Sequence, residues 1–395
     1  MNRKLVVLAA VVLIILIALS LFFIIKPFSI KTSTRPFYVG VEFAYGNEFS
    51  QLKALVDKVK DYTNLFVIGS VDLTFNRTAL DESCDYIFAS GLNFIVLFTS
   101  YTMYNASDGW ADYTIFDWIL NAKQKYGDQF LGFYRFDEPG GNQLDRGVSM
   151  LINNTESFSY PDTPAGYSLV AENYVGNLSY IIGYYFNQTN YTTKIFTADY
   201  GLYWFDYESG YSTILAEFVG NQSRQQIIAL DRGAAQSFGK EWGVLINWKY
   251  DQTPYLESGD ELYNDLSLAY SSGATYAVVF SFPNVTSYGT LTQSHFDALE
   301  KFWNNIHNNP GSFLSNNAEV AYVLPEDYGF GFRNPNDTIW GLFPSDALTP
   351  KIWDDTSTLL NSYGANLNII YDDPAVIGST LNNYSKIFYW NQTVS

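Results

Sequence analysis

From residue 37 onward the chain alternates two hydrophobic rhythms. Short runs dense in β-branched and aromatic residues predict strands buried on both faces at 37–45, 65–73, 92–99, 130–136, 194–200, 212–218, 242–250 and 274–282. Between them lie stretches with apolar residues at helical spacing: 49–62, with Leu52, Leu55, Val56 and Val59 on one face, then 113–126, 223–238, 260–271 and 294–307. Gly91, Gly127, Gly239 and Gly273 stand where helices should stop before the next strand. Eight such units over 37–312 predict a (β/α)8 TIM barrel within the α/β class, with an open doubly wound sheet as the alternative. The Tyr- and Asn-rich segment 149–193 reads as an insertion around the fourth helix. Over 313–395 the pattern restarts as strand 319–324, helix 349–363, strand 368–371, helix 375–383 and strand 386–390, a small βαβαβ domain that should dock on the barrel.

A different pattern precedes all this. Leu5 to Ile25 is a run of 21 residues without a charge, flanked by Arg3 and Lys4 and by Lys26 and Pro27, long enough to span the roughly 30 Å hydrocarbon core. No small-residue cleavage site follows it, so 1–30 reads as a retained transmembrane anchor and 31–36 as a linker. Basic residues balance across the run and leave its orientation open. The sequons at Asn76, Asn105, Asn153, Asn177, Asn187, Asn190, Asn221, Asn284, Asn336, Asn383 and Asn391 place the body outside the cell as a glycoprotein of a single-pass membrane protein.

Composition narrows the chemistry. Of the 395 residues, 22 are Lys or Arg and 40 are Asp or Glu, a formal charge of -18 that argues against nucleic acid as partner. A single cysteine, Cys84, allows no internal disulfide, and two histidines, His295 and His307, leave no basis for a His- or Cys-based metal site. No cofactor is expected. What remains is carboxylates and an aromatic content of 18%, more than a core requires.

In a barrel, side chains at strand C-termini converge on one cleft. The acids Glu42, Asp72, Asp137, Glu138, Asp199, Glu217 and Asp251 fall at or just past predicted strand ends. Paired carboxylates beside flat aromatic rings suit glycosidic bond cleavage, in which one protonates the leaving oxygen and the other attacks the anomeric carbon or activates water. Glu138 and Glu217 are the expected catalytic pair. Asp137 and Asp199 are expected to orient them or bind hydroxyls, and Tyr200, Tyr203, Trp204, Trp248, Lys249 and Tyr250 to line the substrate site for an oligosaccharide or glycan. Simpler roles compete: Glu138 as a cap on the following turn, Glu217 as an ion-pair partner of Arg224 or Arg232, and Glu42 or Asp72 as a barrel-lining partner of Lys249.

The segment Tyr134-Arg135-Phe136-Asp137-Glu138-Pro139 resembles the strand-four end of clan A (β/α)8 glycoside hydrolases, where an Asn-Glu-Pro segment supplies the acid/base. The resemblance implies that role for Glu138. It departs at Asp137, where that clan has Asn, and on strand seven, where Lys249 and Asp251 stand in place of a nucleophilic Glu. Other barrel glycosidases place their carboxylates on strands four and six, as Glu138 and Glu217 would be. The blocks 215–235 and 242–248 also resemble archaeal surface proteins of glycosidase-like type. Residues 322–325 and 369–374 resemble the glutamine-amidotransferase-like (flavodoxin-like) domain that follows barrels in some β-galactosidases, here without a cysteine nucleophile. A membrane-anchored extracytoplasmic glycoside hydrolase is the reading that results, with a non-catalytic carbohydrate-binding or structural envelope protein as the alternative.

Overall fold

A computed structural model of the chain describes residues 36–99, 104–105, 109–111, 113–147, 161–308 and 318–394. The apolar run 5–25, most of the linker, and the sequon at Asn153 lie outside these residues. Among the described residues no helix is long and apolar enough to cross a membrane.

Eight parallel strands close on themselves. They are β1 (Tyr38–Phe43), β2 (Leu65–Ile68), β3 (Asn93–Phe98), β4 (Phe130–Arg135), β5 (Lys194–Asp199), β6 (Thr213–Phe218), β7 (Glu241–Ile246) and β8 (Tyr276–Val279). Each pairs with its sequence neighbours, and β8 pairs with β1 from Tyr38 opposite Tyr276 to Val41 opposite Val279. That closure excludes the open sheet. Side chains alternate in and out along each strand, so Leu65, Val67, Ile95, Phe196, Ala198, Leu215, Leu245 and Val278 fill the barrel interior. The lower end is plugged by Tyr38 stacked on Tyr276, with ring centroids 5.2 Å apart, and by Glu241, which accepts hydrogen bonds from Lys194 Nζ at 2.5 Å and Tyr276 Oη at 2.8 Å.

The outer layer holds α1 (Phe49–Val59), α2 (Val71–Phe75), α3 (Arg77–Ala89), α4 (Ile115–Tyr126), α5 (Pro139–Arg146), α6 (Pro164–Gln188), α7 (Tyr203–Glu208), α8 (Arg224–Ser237), α9 (Gly259–Ser271) and α10 (Gln293–Asn308). Thr114, Thr163, Ser223 and Ser258 cap their helices through side-chain oxygens. Gly91, Gly127, Gly239 and Gly273 all adopt positive φ, the conformation that stops a helix. Much of the expected insertion is the 25-residue α6, and residues 148–160 lie outside the description.

β2, β7 and β8 are markedly shorter than their hydrophobic runs predict, and in the first two the shortening moves candidate residues off the strand. β2 ends at Ile68 because Ser70 caps a new helix, so Asp72 sits exposed in the first turn of α2 and is not on a strand. β7 ends at Ile246, which leaves Lys249, Tyr250 and Asp251 in the following loop.

After the barrel, β9 (Val320–Leu324), β10 (Leu367–Tyr371) and β11 (Lys386–Tyr389) form a parallel sheet in the order β10-β9-β11, flanked by α11 (Leu348–Tyr363) and the short α12 (Ile377–Thr380). The sheet shares one hydrophobic core with the barrel's helical layer. At the seam, Arg232 of α8 is 1% exposed and donates to Asn368 Oδ1 at 2.8 Å and to the carbonyls of Ser272, Ala365 and Leu367 at 3.2, 2.7 and 2.9 Å. Arg232 is therefore committed to the sheet and is no partner of Glu217.

Candidate active site

The strand C-termini open into a cavity of about 630 Å3, within the range of small-molecule sites. Its floor is the last inward-facing layer of the barrel: Glu42 of β1, Tyr134 of β4, Glu217 of β6 and Leu245 of β7. The loops beyond β7 and β8 add Asn247, Trp248, Phe280 and Phe282. Trp248 and Phe282 lie nearly parallel, 15° between planes, with Phe282 42% exposed, so they offer a flat apolar face at the rim.

Glu138 is held by an unusual stretch of backbone. Phe136 and Glu138 both adopt left-handed φ, 58° and 53°, on either side of Asp137. Such conformations cost on the order of 1–3 kcal/mol each in non-glycine residues and persist where the surroundings enforce them. Here the enforcement is visible. The Glu138 amide donates to Ala198 O at 3.1 Å, and Thr197 Oγ1 donates to Phe136 O. Asn142 Nδ2 donates to the carbonyls of Asp137 and Glu138 at 3.0 and 2.8 Å. Pro139 then opens α5, whose next two amides, Gly140 and Gly141, donate to the Asp199 carboxylate at 2.6 and 2.8 Å. The amides of Tyr200 and Gly201 complete its grip at 2.7 and 3.1 Å. Gly141 has no room for a side chain, since a Cβ would lie 2.2 Å from the Tyr200 ring. Glu138 is thus the N-cap residue by position while its side chain makes no capping bond, which leaves the carboxyl free to face the cavity.

Asp199 is fully buried. It is absent from the cavity lining and is bound to the first turn of α5, so of its two expected roles the placement suits orienting Glu138 and not binding a hydroxyl. Behind it Asp206 shares a hydrogen bond with Asp199 and accepts one from Tyr174 Oη at 2.6 Å.

The Glu138 and Glu217 side chains are in direct hydrogen-bond contact. Burial raises both above the usual carboxylate range, Glu138 to about 7 with further pressure from Asp137 and Asp199, and Glu217 well up with further pressure from Glu138 and Asp137. Two carboxyls in contact hold one proton between them. One bond opposes the rise at Glu217: Asn247 Nδ2 donates to its Oε2 at 2.7 Å, while Asn247 Oδ1 is fixed by the Trp248 amide at 2.7 Å. Asp137 also lines the cavity and accepts from Tyr134 Oη at 2.5 Å.

Of the expected sugar-binding residues, Tyr200 and Trp248 line the cavity. Tyr203 and Trp204 do not. Both are 3% exposed on the seam with the C-terminal sheet, where Trp204 packs on Phe238 and Tyr371 beside a gap of about 20 Å3, roughly one water. The hydrophobic face that looked like a sugar platform is the one that buries the second sheet. Lys249 bonds Glu261, and Tyr250 is 43% exposed outside the cavity. Arg224 pairs with Glu257 and Asp265, so neither arginine reaches Glu217. His295, on an outer helix, bonds the Glu257 carbonyl at 2.7 Å.

Arg333 was not expected. It enters the cavity wall from the segment after the barrel, held bidentately by Asp337 at 2.7 and 2.8 Å and bonded to Asp145, which in turn accepts from Tyr200 Oη at 2.6 Å. The same segment clamps α5, since Gln143 Nε2 donates to Trp340 O at 2.7 Å.

Buried acids of this kind make stability depend on pH. Burial holds Glu42 and Glu257 up to about 8 and Asp199 to about 7, all above the unfolded value near 4. Between these limits the folded state binds more protons than the unfolded one, so stability falls as pH rises from about 5 to 8. His295, lowered by burial, works the other way below about 6.5. With several acids against one histidine, the thermal midpoint is expected to be higher at pH 5.5 than at pH 8. Calorimetric scans across that range check it, and a flat or rising profile would contradict these buried acids.

No family model matches the sequence, and no curated protein does. Among solved structures the chain is similar to GH5_18 from Streptomyces cattleya in complex with GlcNAc, at 11% identity and a TM-score of 0.50 over 90% of this chain and 99% of that one. It is similar at 11% identity and a TM-score of 0.53, with the same coverage, to a variant of that protein in complex with Manb1-4GlcNAc. The likeness is one of fold, an eight-stranded parallel barrel with alternating helices.

Proposed function

We propose that this protein is a retaining glycoside hydrolase with Glu138 as acid/base and Glu217 as nucleophile. The observation that carries the reading is the contact of these two carboxyls inside a cavity with an aromatic rim. Two carboxyls within hydrogen-bond reach leave no room between them for the water that inverting enzymes hold across roughly 6.5–9.5 Å, which favours the retaining arrangement. With the cavity empty, the more deeply buried Glu217 holds the shared proton and Glu138 accepts it. A sugar ring entering between them separates the pair. The Asn247 amide then favours ionised Glu217, and burial with the charge of Asp137 keeps the proton on Glu138.

From that state Glu138 gives its proton to the glycosidic oxygen as the C–O bond breaks, and a Glu217 oxygen bonds the anomeric carbon. Water then attacks the glycosyl ester, Glu138 takes its proton, and Glu217 leaves as carboxylate. Asp137 and Tyr134 are placed to bind hydroxyls, and Trp248 with Phe282 to stack on a sugar face.

The setting follows from the sequence: residues 5–25 as anchor and the barrel outside the cell. Asn76, Asn187, Asn190, Asn221, Asn284, Asn336, Asn383 and Asn391 are all exposed, as glycan acceptors must be. The sheet built from β9, β10 and β11 serves as a structural, amidotransferase-like module that completes the cleft wall.

The test is a screen of the full chain against aryl glycosides and envelope glycans, with trapping by a 2-fluoro glycosyl donor. Covalent labelling at Glu217 is the expected outcome. Sugar binding without turnover would assign the protein to the non-catalytic carbohydrate-binding reading.

A further inference from the structure

We propose that Glu42 is a further substrate-contacting residue, its carboxyl group hydrogen-bonding a ring hydroxyl of the sugar in the cavity and thereby selecting which sugar is accepted. This rests on the carbohydrate reading of the cavity but not on the roles of Glu138 and Glu217.

Glu42 is the last inward-facing residue of β1 and lies on the cavity floor, 6% exposed. Among the described residues no protein group hydrogen-bonds its carboxyl. The available cations are engaged elsewhere, Lys249 with Glu261 and Arg333 with Asp145 and Asp337. The Glu42 oxygens open onto the cavity, where a ligand hydroxyl can serve as the partner that the protein does not supply.

The seat around it is shaped from three strands. Gly69, just past β2, leaves the space that the carboxyl fills, since a Cβ there would lie 2.0 Å from Glu42 Oε1. Ser281, just past β8, donates its hydroxyl to the Glu42 carbonyl and fixes the end of β1. Asp137 and Tyr134 face it from β4 and its loop, and the Asp137 charge adds to burial in keeping the carboxyl protonated. Every other acid in the cavity is an acceptor or is shared with a second acid. Glu42 therefore supplies a donor, and the partner of a lone donor on a cavity floor is a hydroxyl oxygen of a neutral sugar. The same wall of acids disfavours anionic sugars such as uronic acids.

Three variants of the full chain separate the possibilities. Glu42→Ala removes the group, Glu42→Gln keeps a donor of the same shape, and Gly69→Ala keeps the carboxyl but displaces it. Calorimetric titration with glucose, mannose, galactose, N-acetylglucosamine, glucuronic acid and monodeoxy analogues is the measurement, with thermal unfolding as the check on folding. Glu42→Ala and Gly69→Ala are expected to weaken binding of the preferred sugar about 10-fold or more, and Glu42→Gln to recover most of that loss. One deoxy analogue should bind wild type and Glu42→Ala alike, because it lacks the partner hydroxyl. Equal affinity of wild type and Glu42→Ala for every sugar overturns the proposal, as does a loss in Glu42→Gln as large as in Glu42→Ala, or no binding of any sugar by wild type. Sugar binding that depends on Glu42 without hydrolysis of any glycoside removes the hydrolase reading alone.

Discussion

Glu138→Gln is expected to lower kcat on a natural glycoside by about 10²–10⁴-fold, the usual contribution of general acid catalysis, while the barrel stays folded. The two carboxyls should then part company by leaving group. An aryl glycoside with an acidic phenol needs little protonation, so Glu138→Gln should form the glycosyl ester on it almost normally and stall at hydrolysis, seen as a burst of phenol. Glu217→Gln should show no burst with any substrate, because no ester can form. Stopped-flow release of the phenol distinguishes the two. A burst in Glu217→Gln would exchange the roles, and unchanged turnover in both would end the assignment. Each amide also removes an acid from a contact pair, so neither substitution should cost much stability, and relief of the shared burial can offset the lost contact.

The largest structural effect is expected at Arg232. Arg232→Ala strands three carbonyls and Asn368 at a buried seam and leaves a cavity the length of the side chain. Each unsatisfied acceptor costs about 1–3 kcal/mol, so a loss of about 4 kcal/mol or more is expected in urea unfolding. Arg232→Lys should recover little, because a single ammonium cannot reach four acceptors spread around a planar guanidinium. A loss below about 1 kcal/mol would show that the seam repacks or hydrates without it. Because the C-terminal segment carries Arg333, loosening this seam should also weaken sugar binding at a distance from the cleft.

The barrel was legible because its strands are buried on both faces and separated by helices that end in glycine, a pattern few other folds produce. Glu138 and Glu217 were legible as acids at strand ends. Tyr203 and Trp204 misled because an aromatic stripe that packs a second sheet and one that stacks on a sugar have the same composition. Burial decides between them, and burial depends on where 313–395 docks. Asp199 shows a finer limit: its place at a strand end is right, yet its partners are backbone amides of α5, which no side-chain pattern encodes. Arg333 has a local partner in Asp337, but nothing local points to the cavity, because the Asp145 that ties it there is 188 positions away. Glu42 was legible as an acid on β1 with an ion pair as its expected role, and its place on the cavity floor without a hydrogen-bonding cation makes it a candidate for the sugar.

The clamp of Trp340 on α5 and the entry of Arg333 into the cleft also bear on how the protein is made. A ribosome delivers all eight barrel strands before it reaches either residue, so a nascent chain can close its barrel while the helix that presents Glu138 still lacks its outer brace. Competence of the cleft would then arrive late in synthesis, as a single event tied to docking of the last sheet.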